Sequence, residues 1–135
     1  MSDLYEADRI SWIGLRAVEL PLQRPVSDAK VLTGRQRPLA HVDLLAATIE
    51  TRHGARGFGF SYALRAGGAA LFAHARDLAP DLIGEDPDDI GRLWEKLAWA
   101  GASVSRTGVS VQAIAAFDVA LWDMKAKKAG LSIGK

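Results

Sequence analysis

The hydrophobic pattern of the first half of the chain alternates, which predicts β-strands. In residues 10–22, apolar side chains lie on both sides of an extended segment, so one face is expected to be buried and the other partly covered. Pro21 is then expected at an edge or near the strand end. Residues 39–52 end in an alternation that favours a strand, although the run LLAAT contains good helix formers. Residues 57–61 read as a short third strand, and sequential strands of this kind predict an antiparallel meander.

The second half of the chain follows a helical period. Residues 69–80 and 90–100 carry apolar side chains three and four positions apart, and residues 109–129 form a longer segment of the same kind, closed by Gly130. Asp86 is the predicted N-cap of the middle helix, with a proline at the first helical position. Strands followed by helices predict an α+β fold, in which a three-stranded antiparallel meander precedes a bundle of three to four helices.

The last predicted helix carries two charged residues within its apolar face. At about 100° per residue, Asp118 and Lys125 fall in the middle of an arc formed by Val111, Ile114, Phe117, Leu121, Trp122 and Met124. The two charges lie about 10 Å apart along the axis, so they are not expected to satisfy each other. A buried charge is costly unless it is paired, so this face is expected to have a partner outside the helix. That partner is either the domain's own core or an interface with something larger.

Composition and charge narrow the class of protein. A chain of 135 residues suits one domain, and 49% hydrophobic with 24% charged residues is ordinary for a globular protein. The net charge of +1 gives no electrostatic case for nucleic acid or an anionic membrane as partner. No apolar run approaches the length of a bilayer span and the first residues lack a signal-peptide pattern, so a cytoplasmic location is expected. The absence of cysteine excludes disulfides and thiolate metal sites.

The sequence contains no motif for self-sufficient catalysis or metal binding. The histidines at positions 41, 53 and 74 show no metal-ligand spacing. The acidic run at residues 85–89 is explained by a helix start, where carboxylates meet the positive end of the helix dipole. The glycines match neither a dinucleotide-binding nor a phosphate-binding loop, and no nucleophile elbow is present. We therefore expect no catalytic residue and no metal ligand in this chain.

Two polar loops are the candidate binding segments. Residues 24–38 and 61–68 connect or follow strands, and a loop of about fifteen residues in a compact domain is often functional. Arginine binds carboxylates as a fork and lysine supplies a point charge, so these loops suit a ligand with carboxylates and hydroxyls. The candidate substrate-binding residues are Lys30, Thr33, Arg35, Tyr62 and Arg65. The alternative is that both loops are solvated surface.

The stretch AIAAFDVALWDMKAKKAGLSIGK at residues 113–135 resembles a signature of the mandelate racemase/muconate lactonizing enzyme group of the enolase superfamily. Phe117 and Met124 depart mildly from that signature, and its closing Leu-Leu-Gly is absent. The matching positions are Asp118, Ala120, Leu121, Asp123, Ala126 and Lys127. The segments SDAKVLTGRQRPL, GFSYALRAGG, LIGEDP and WAGASVSRTG resemble more narrowly the branch of acid-sugar dehydratases that act on L-talarate and galactarate.

The resemblance implies that residues 1–135 are an enolase-like N-terminal capping domain that ends at the junction to a (β/α)₇β barrel. Proteins of this group bind Mg²⁺ in the barrel, where it stabilises an enolate formed by proton abstraction next to a carboxylate. The metal ligands and catalytic residues belong to the barrel, so none is assigned to this chain. The two loops would close over the barrel mouth and contact an acid sugar such as galactarate or L-talarate. The domain interface would include Asp118, Trp122 and Lys125.

Two further hypotheses follow from the same sequence. The chain would be a catalytically inactive stand-alone module that uses the exposed helix face for dimerisation or protein binding. Alternatively, a barrel supplied in trans would restore catalysis. Under the capping-domain hypothesis the 135-residue chain alone is expected to be inactive as a dehydratase or epimerase, and the full-length enzyme is expected to be a homo-oligomer. Neither nucleic acid nor a membrane is an expected partner.

Overall fold

The computed structural model describes residues 6–135, with a sheet in the first half and helices in the second. The elements are β1 (Ile10–Val26), α1 (Ala29–Leu32), β2 (Leu39–Thr51), β3 (Arg56–Leu64), α2 (Gly68–Leu78), a 3₁₀ turn (Ala79–Leu82), α3 (Ile90–Ala100) and α4 (Val109–Lys128). Strands precede helices, which confirms the predicted α+β class. Within the described residues, every helix is too short or too polar to cross a bilayer.

The three strands form one antiparallel sheet in the order β1-β2-β3, which confirms the meander. Leu15 of β1 lies opposite Ala47 of β2, which in turn lies opposite Gly59 of β3. Pro21 lies in β1, an edge strand, as expected for a residue that cannot donate to a ladder. The register between β1 and β2 shifts between Pro21 and Val26. β1 ends at Val26 and β3 ends at Leu64, so both strands extend beyond their predicted ends.

The two faces of the sheet differ because successive side chains point to opposite sides. The inner face packs on the helices and buries Leu45, Ala47 and Ile49. The opposite face is here called the outer apolar face, and its large side chains are about half exposed. It comprises Trp12, Val18, Leu20, Phe58, Phe60, Tyr62 and Leu64.

Helix α4 lies very close to β3 because β3 has glycine at the two inner-face positions that meet the helix, Gly57 and Gly59. A Cβ at Gly57 would stand 1.9 Å from the carbonyl oxygen of Ala120, and one at Gly59 would stand 2.1 Å from that of Ala116. Only hydrogen fits in that space, so the GFGF sequence of β3 is a packing requirement. Ala116 and Ala120 of α4 are fully buried against these glycines.

The buried face of α4 differs from the predicted arc. The alanine side of the helix packs on β3, so the buried arc is rotated away from Val111 and Trp122, which stay exposed. Lys125 is also exposed, and Asp118 is half-buried at the edge of the arc. The expectation that both charges lie in the middle of the buried face was therefore wrong, because the glycines of β3 draw the alanines inward.

The N-terminus of α3 differs from its predicted position, whereas the C-terminus of α4 agrees with it. The N-cap prediction for Asp86 was wrong, because α3 begins at Ile90 and the Asp86 carboxylate instead accepts from the backbone N–H of Asp88 at 3.0 Å, closing a turn. The C-terminal prediction for Gly130 is confirmed. Gly130 has φ +68°, its N–H bonds to the carbonyl of Lys127, and the next N–H bonds to that of Ala126.

Candidate functional site

The loop between β1 and β2 is folded by Asp28. The Asp28 carboxylate accepts hydrogen bonds from the backbone N–H groups of Lys30 at 3.0 Å and Val31 at 3.2 Å, which caps the short helix α1. The hydrogen bond from Val31 and, more weakly, the positive charge of Arg65 lower the pKa of Asp28. The predicted structureless loop thus contains one ordered helical turn.

Arg65 joins the two predicted loops. Its Nη2 lies 3.2 Å from Oδ2 of Asp28, and its Nε donates to the carbonyl oxygen of Arg37 at 3.1 Å. The side chain is 21% exposed, so it is largely covered by the segment that it binds. Arg65 also has φ +64°, a left-handed conformation that costs free energy for a residue other than glycine. The residue with this strained backbone is therefore the one that connects the two loops.

The three other candidates in the first loop have different surroundings. The Thr33 hydroxyl donates to the carbonyl of Ala29 at 2.8 Å, and Arg35 Nη1 donates to the same hydroxyl at 3.4 Å. Thr33 therefore orients Arg35 while ending the helical turn. Lys30 is exposed, and within residues 6–135 its ammonium group has no hydrogen-bond or ion-pair partner. Lys30 and Arg35 are thus the two candidate cations that face solvent.

Tyr62 lies apart from the other candidates. It is the seventh residue of β3, and its ring belongs to the outer apolar face, where it is 49% exposed. Its carbonyl oxygen accepts from the side-chain amide of Gln112. The structure thus brings Thr33, Arg35 and Arg65 onto one connected loop assembly and leaves Tyr62 on the sheet.

A cleft of about 430 Å³ opens beside this loop assembly, between the end of the sheet and the Arg65 side chain. Its wall is formed by Gln36, Arg37, Pro38, Leu39, Ala40, His41 and Arg65. At the tip of the same loop, Leu32 is 82% exposed.

The candidate interface residues lie together on an exposed stripe of α4. Trp122 is 47% exposed, and the Lys125 ammonium group stands 5.3 Å from the centre of its ring, a cation–π contact. Burial raises the pKa of Asp118. Within residues 6–135, no hydrogen bond or ion pair reaches the Asp118 carboxylate. Trp94 and Trp99 of α3 line a groove of about 460 Å³ beside this stripe.

Sequence reasoning missed the central role of Asp28. The signal was present, since an aspartate directly before the helix-forming run AKVL is a typical N-cap. Its contact with Arg65, however, joins residues 37 positions apart and could not be read from local pattern.

Comparison with known proteins places this geometry in a family. The family model of the mandelate racemase/muconate lactonizing enzyme N-terminal domain matches residues 15–135. This chain belongs to that family. It is 58% identical to the L-talarate/galactarate dehydratase of Salmonella typhimurium over 128 residues, which is 95% of this chain and 32% of that enzyme. It is an N-terminal domain of the kind found in dehydratases of the enolase superfamily.

Two solved structures extend this comparison. The L-talarate dehydratase from Polaromonas sp. JS666, complexed with Mg and L-glucarate, has a TM-score of 0.90 and 62% identity, covering 94% of this chain and 34% of its own. The Salmonella typhimurium enzyme liganded with Mg and L-lyxarohydroxamate has a TM-score of 0.88 and 58% identity, covering 92% of this chain and 32% of its own. This domain therefore spans about a third of the length of these relatives.

Proposed function

We propose that this domain is the capping domain of a Mg²⁺-dependent acid-sugar dehydratase or epimerase that acts on galactarate or L-talarate. In that enzyme, a proton is removed next to a carboxylate to form an enolate. The catalytic groups would lie in a (β/α)₇β barrel that adjoins this domain in cis or in trans. The observation that carries the proposal is the 58% identity to the L-talarate/galactarate dehydratase of Salmonella typhimurium. The tie from Arg65 to Asp28 and Arg37 supports it, because it joins both candidate loops at one edge of the domain.

The loop residues take separate parts in this proposal. Lys30 and Arg35 bind the carboxylates and hydroxyls of the acid sugar, because their charged groups face solvent and carry donors. Thr33 and Arg65 are positioning residues, since Thr33 orients Arg35 and Arg65 holds the loop. Tyr62 contacts substrate only if the outer apolar face meets the barrel mouth.

We assign Mg²⁺ to the barrel because the described residues of this domain do not fit it. Mg²⁺ prefers an octahedral set of oxygen ligands. In residues 6–135, the one group of three convergent ligand-bearing side chains is Glu19, His41 and Asp43, which includes an imidazole. No step of the reaction is therefore assigned to a metal held by this domain.

The test is a domain exchange with the Salmonella typhimurium relative. Its matching N-terminal third is replaced by this chain, and the dehydration of galactarate and L-talarate is measured with Mg²⁺ present. We expect the chimera to be active and the isolated 135-residue chain to be inactive. In the active chimera, Lys30→Ala and Arg35→Ala should raise KM. Arg52→Ala is the matched control, because Arg52 is an exposed arginine just beyond the opposite end of β2.

Two results would contradict the proposal. One is turnover by the isolated chain. The other is a folded, Mg²⁺-binding chimera without activity. Equal KM values for the loop variants and the Arg52→Ala control would leave the capping role standing but remove Lys30 and Arg35 from substrate binding.

A second candidate function, a stand-alone dimerisation or protein-binding module, is favoured by the outer apolar face. Phe58, Phe60, Tyr62 and Leu64 form a row of half-exposed side chains along β3. Apolar patches of this kind commonly mark interaction sites. The same face would serve the homo-oligomer that we propose for the full-length enzyme. Sedimentation velocity of the isolated chain tests this candidate function. If the wild type is a dimer and Phe60→Ser is a monomer, the chain self-associates through the outer apolar face.

A further inference from the structure

Three side chains with metal-binding groups converge near the end of the sheet where the first loop begins. Glu19 of β1 lies opposite Asp43 of β2, and His41 lies two residues before Asp43 on the same strand. Because alternate residues share a face, all three project from the inner side of the sheet. The His41 Nε2 lies 3.8 Å from an Asp43 oxygen and 4.0 Å from a Glu19 oxygen. All three ligand atoms lie within 4.8 Å of one another.

The surroundings of the cluster leave its ligand atoms accessible. In residues 6–135, neither Glu19 nor Asp43 forms an ion pair with a lysine or an arginine. Asp43 is held in place by the start of α2, because a Cβ at Gly68 would stand 2.5 Å from its carboxylate. The side chains of Glu19 and His41 are 70% and 39% exposed. Two carboxylates thus face one imidazole, and within residues 6–135 no lysine or arginine is paired with them.

We propose that Glu19, His41 and Asp43 form a binding site for a transition-metal cation of the Zn²⁺ class. The His41 Nε2 and one oxygen of each carboxylate are the three protein ligands, and water completes the coordination. An imidazole with two carboxylates suits Zn²⁺ and similar ions, whereas Mg²⁺ and Ca²⁺ prefer oxygen alone.

The distances fit such an ion after a small closure. Zn²⁺ bonds to nitrogen and oxygen of about 2.0–2.2 Å place tetrahedral ligand atoms about 3.3–3.6 Å apart. The two pairs that include His41, at 3.8 and 4.0 Å, exceed this by a few tenths of an ångström. The ligand oxygens of Glu19 and Asp43 lie within 4.8 Å of each other, so any larger closure falls between the two carboxylates. The exposed Glu19 side chain is free to supply that movement, while Asp43 is fixed by Gly68.

Because of the position of the site, a bound metal ion would affect the β1–β2 loop. Glu19 precedes the β1–β2 loop and His41 follows it, so one ion would join the two strands at the base of the segment that carries Lys30 and Arg35. An ion that binds only the folded state stabilises it by mass action. The metal would therefore restrict the opening of this loop.

The test uses the full chain with ZnCl₂ alone, followed by calorimetric titration and thermal unfolding. We expect one-to-one binding and a Tm that rises with zinc concentration. Loss of a direct ligand should weaken binding at least about tenfold, as outer-shell losses already do, so His41→Ala and Glu19→Gln should both show this. His53→Ala is the matched control, since His53 is a half-exposed histidine beside a single carboxylate, Asp8, at 3.8 Å. Co²⁺ substitution should give a visible absorption band in the wild type and not in His41→Ala.

Three outcomes would overturn the proposal. They are no binding of zinc to the wild type, equal affinity in the wild type and His41→Ala, and an effect of His53→Ala as large as that of His41→Ala. The first outcome would show that the three side chains are only in polar contact and do not form a metal site. Glu19→Gln keeps the test valid if His41→Ala fails to fold, because the Glu19 side chain is the most exposed of the three.

Discussion

The Asp123 carboxylate of α4 accepts a hydrogen bond of 2.8 Å from the backbone N–H of Phe58 in the edge strand β3. It also accepts from the Lys127 ammonium group at 2.6 Å. Burial opposes ionisation of Asp123, but these hydrogen bonds outweigh it and lower its pKa. An aspartate of the family signature thus satisfies a backbone donor that no further strand pairs. Its role in this domain is to hold helix and sheet together.

Replacing Asp123 should loosen the edge of the sheet. We expect Asp123→Ala to lower the free energy of unfolding by about 1 kcal/mol, since the Phe58 N–H loses a charged acceptor. Urea unfolding measures the loss, and amide hydrogen exchange should be faster at Phe58. Asp77→Ala is the control, because Asp77 is exposed on α2 without a described partner. Unchanged exchange at Phe58 would contradict this role.

The contact between β3 and α4 should tolerate no side chain at Gly59. A Cβ there meets the backbone oxygen of Ala116, so Gly59→Ala must push the helix away. We expect a loss of at least about 1–3 kcal/mol, as for overpacked cores. Gly91→Ala in α3 is the matched control, because nothing lies within 4 Å of its added Cβ. That variant should be neutral or gain up to about 1 kcal/mol from helix propensity. Equal effects of the two substitutions would contradict the close packing.

The ion-pair network of Glu85 should make stability depend on acid pH. Hydrogen bonds from Arg92 and Lys96 lower the pKa of Glu85 to about 2. Because the pKa of Glu85 is lower in the folded state than its unfolded-state pKa of about 4.3, ionised Glu85 stabilises the fold above that pH. This stabilisation is lost as the pH falls from about 4.3 through about 2. Glu85→Gln should cost about 1 kcal/mol at pH 7, discounted for solvent screening, and progressively less as the pH falls through about 2. Denaturation at a series of pH values tests this, with the exposed Glu95→Gln as control.

Arg65 should order the first loop at a cost in backbone strain. Both Arg65→Ala and Arg65→Gly remove its bonds to Asp28 and Arg37, so both should speed hydrogen exchange and proteolysis in residues 27–38. Arg65→Gly should be more stable than Arg65→Ala by about 1 kcal/mol, because glycine accepts φ +64° without strain. Equal protection of the loop in wild type and both variants would show that Arg65 does not hold it.

Replacing Asp118 should affect stability differently in the isolated domain and in a domain that packs on a neighbour. Burial raises the pKa of Asp118, so its charge disfavours the folded state as pH rises through the unfolded and then the folded pKa. In the isolated chain, Asp118→Asn should therefore raise Tm at pH 7 and change little at pH 3. In the domain-exchange chimera the same substitution should lower stability, since a group of the neighbouring domain would lose the Asp118 carboxylate as its partner. A loss of Tm at pH 7 in the isolated chain would contradict an unpaired carboxylate.

Local sequence patterns were enough to predict the order of the strands and helices and to recognise the family. Period-two alternation marked β2, and helical spacing with Gly130 marked the end of α4, because these signals depend on residues near one another. The turn-forming Asp86 was misread, since an aspartate before a proline suits both a turn and an N-cap. The basic character of the first loop was also visible, and its candidates Lys30 and Arg35 came from composition.

Which faces are buried and which loops meet depends on contacts between distant residues, so these features could not be predicted from local patterns. The apolar arc predicted for α4 was displaced because Gly57 and Gly59, more than 50 positions away, admit its alanines and leave Trp122 outside. The tie from Arg65 to Asp28 and the convergence of Glu19 with His41 likewise join distant positions. Local periodicity reports a helix or a strand, but close packing between elements depends on the shapes of both surfaces at once.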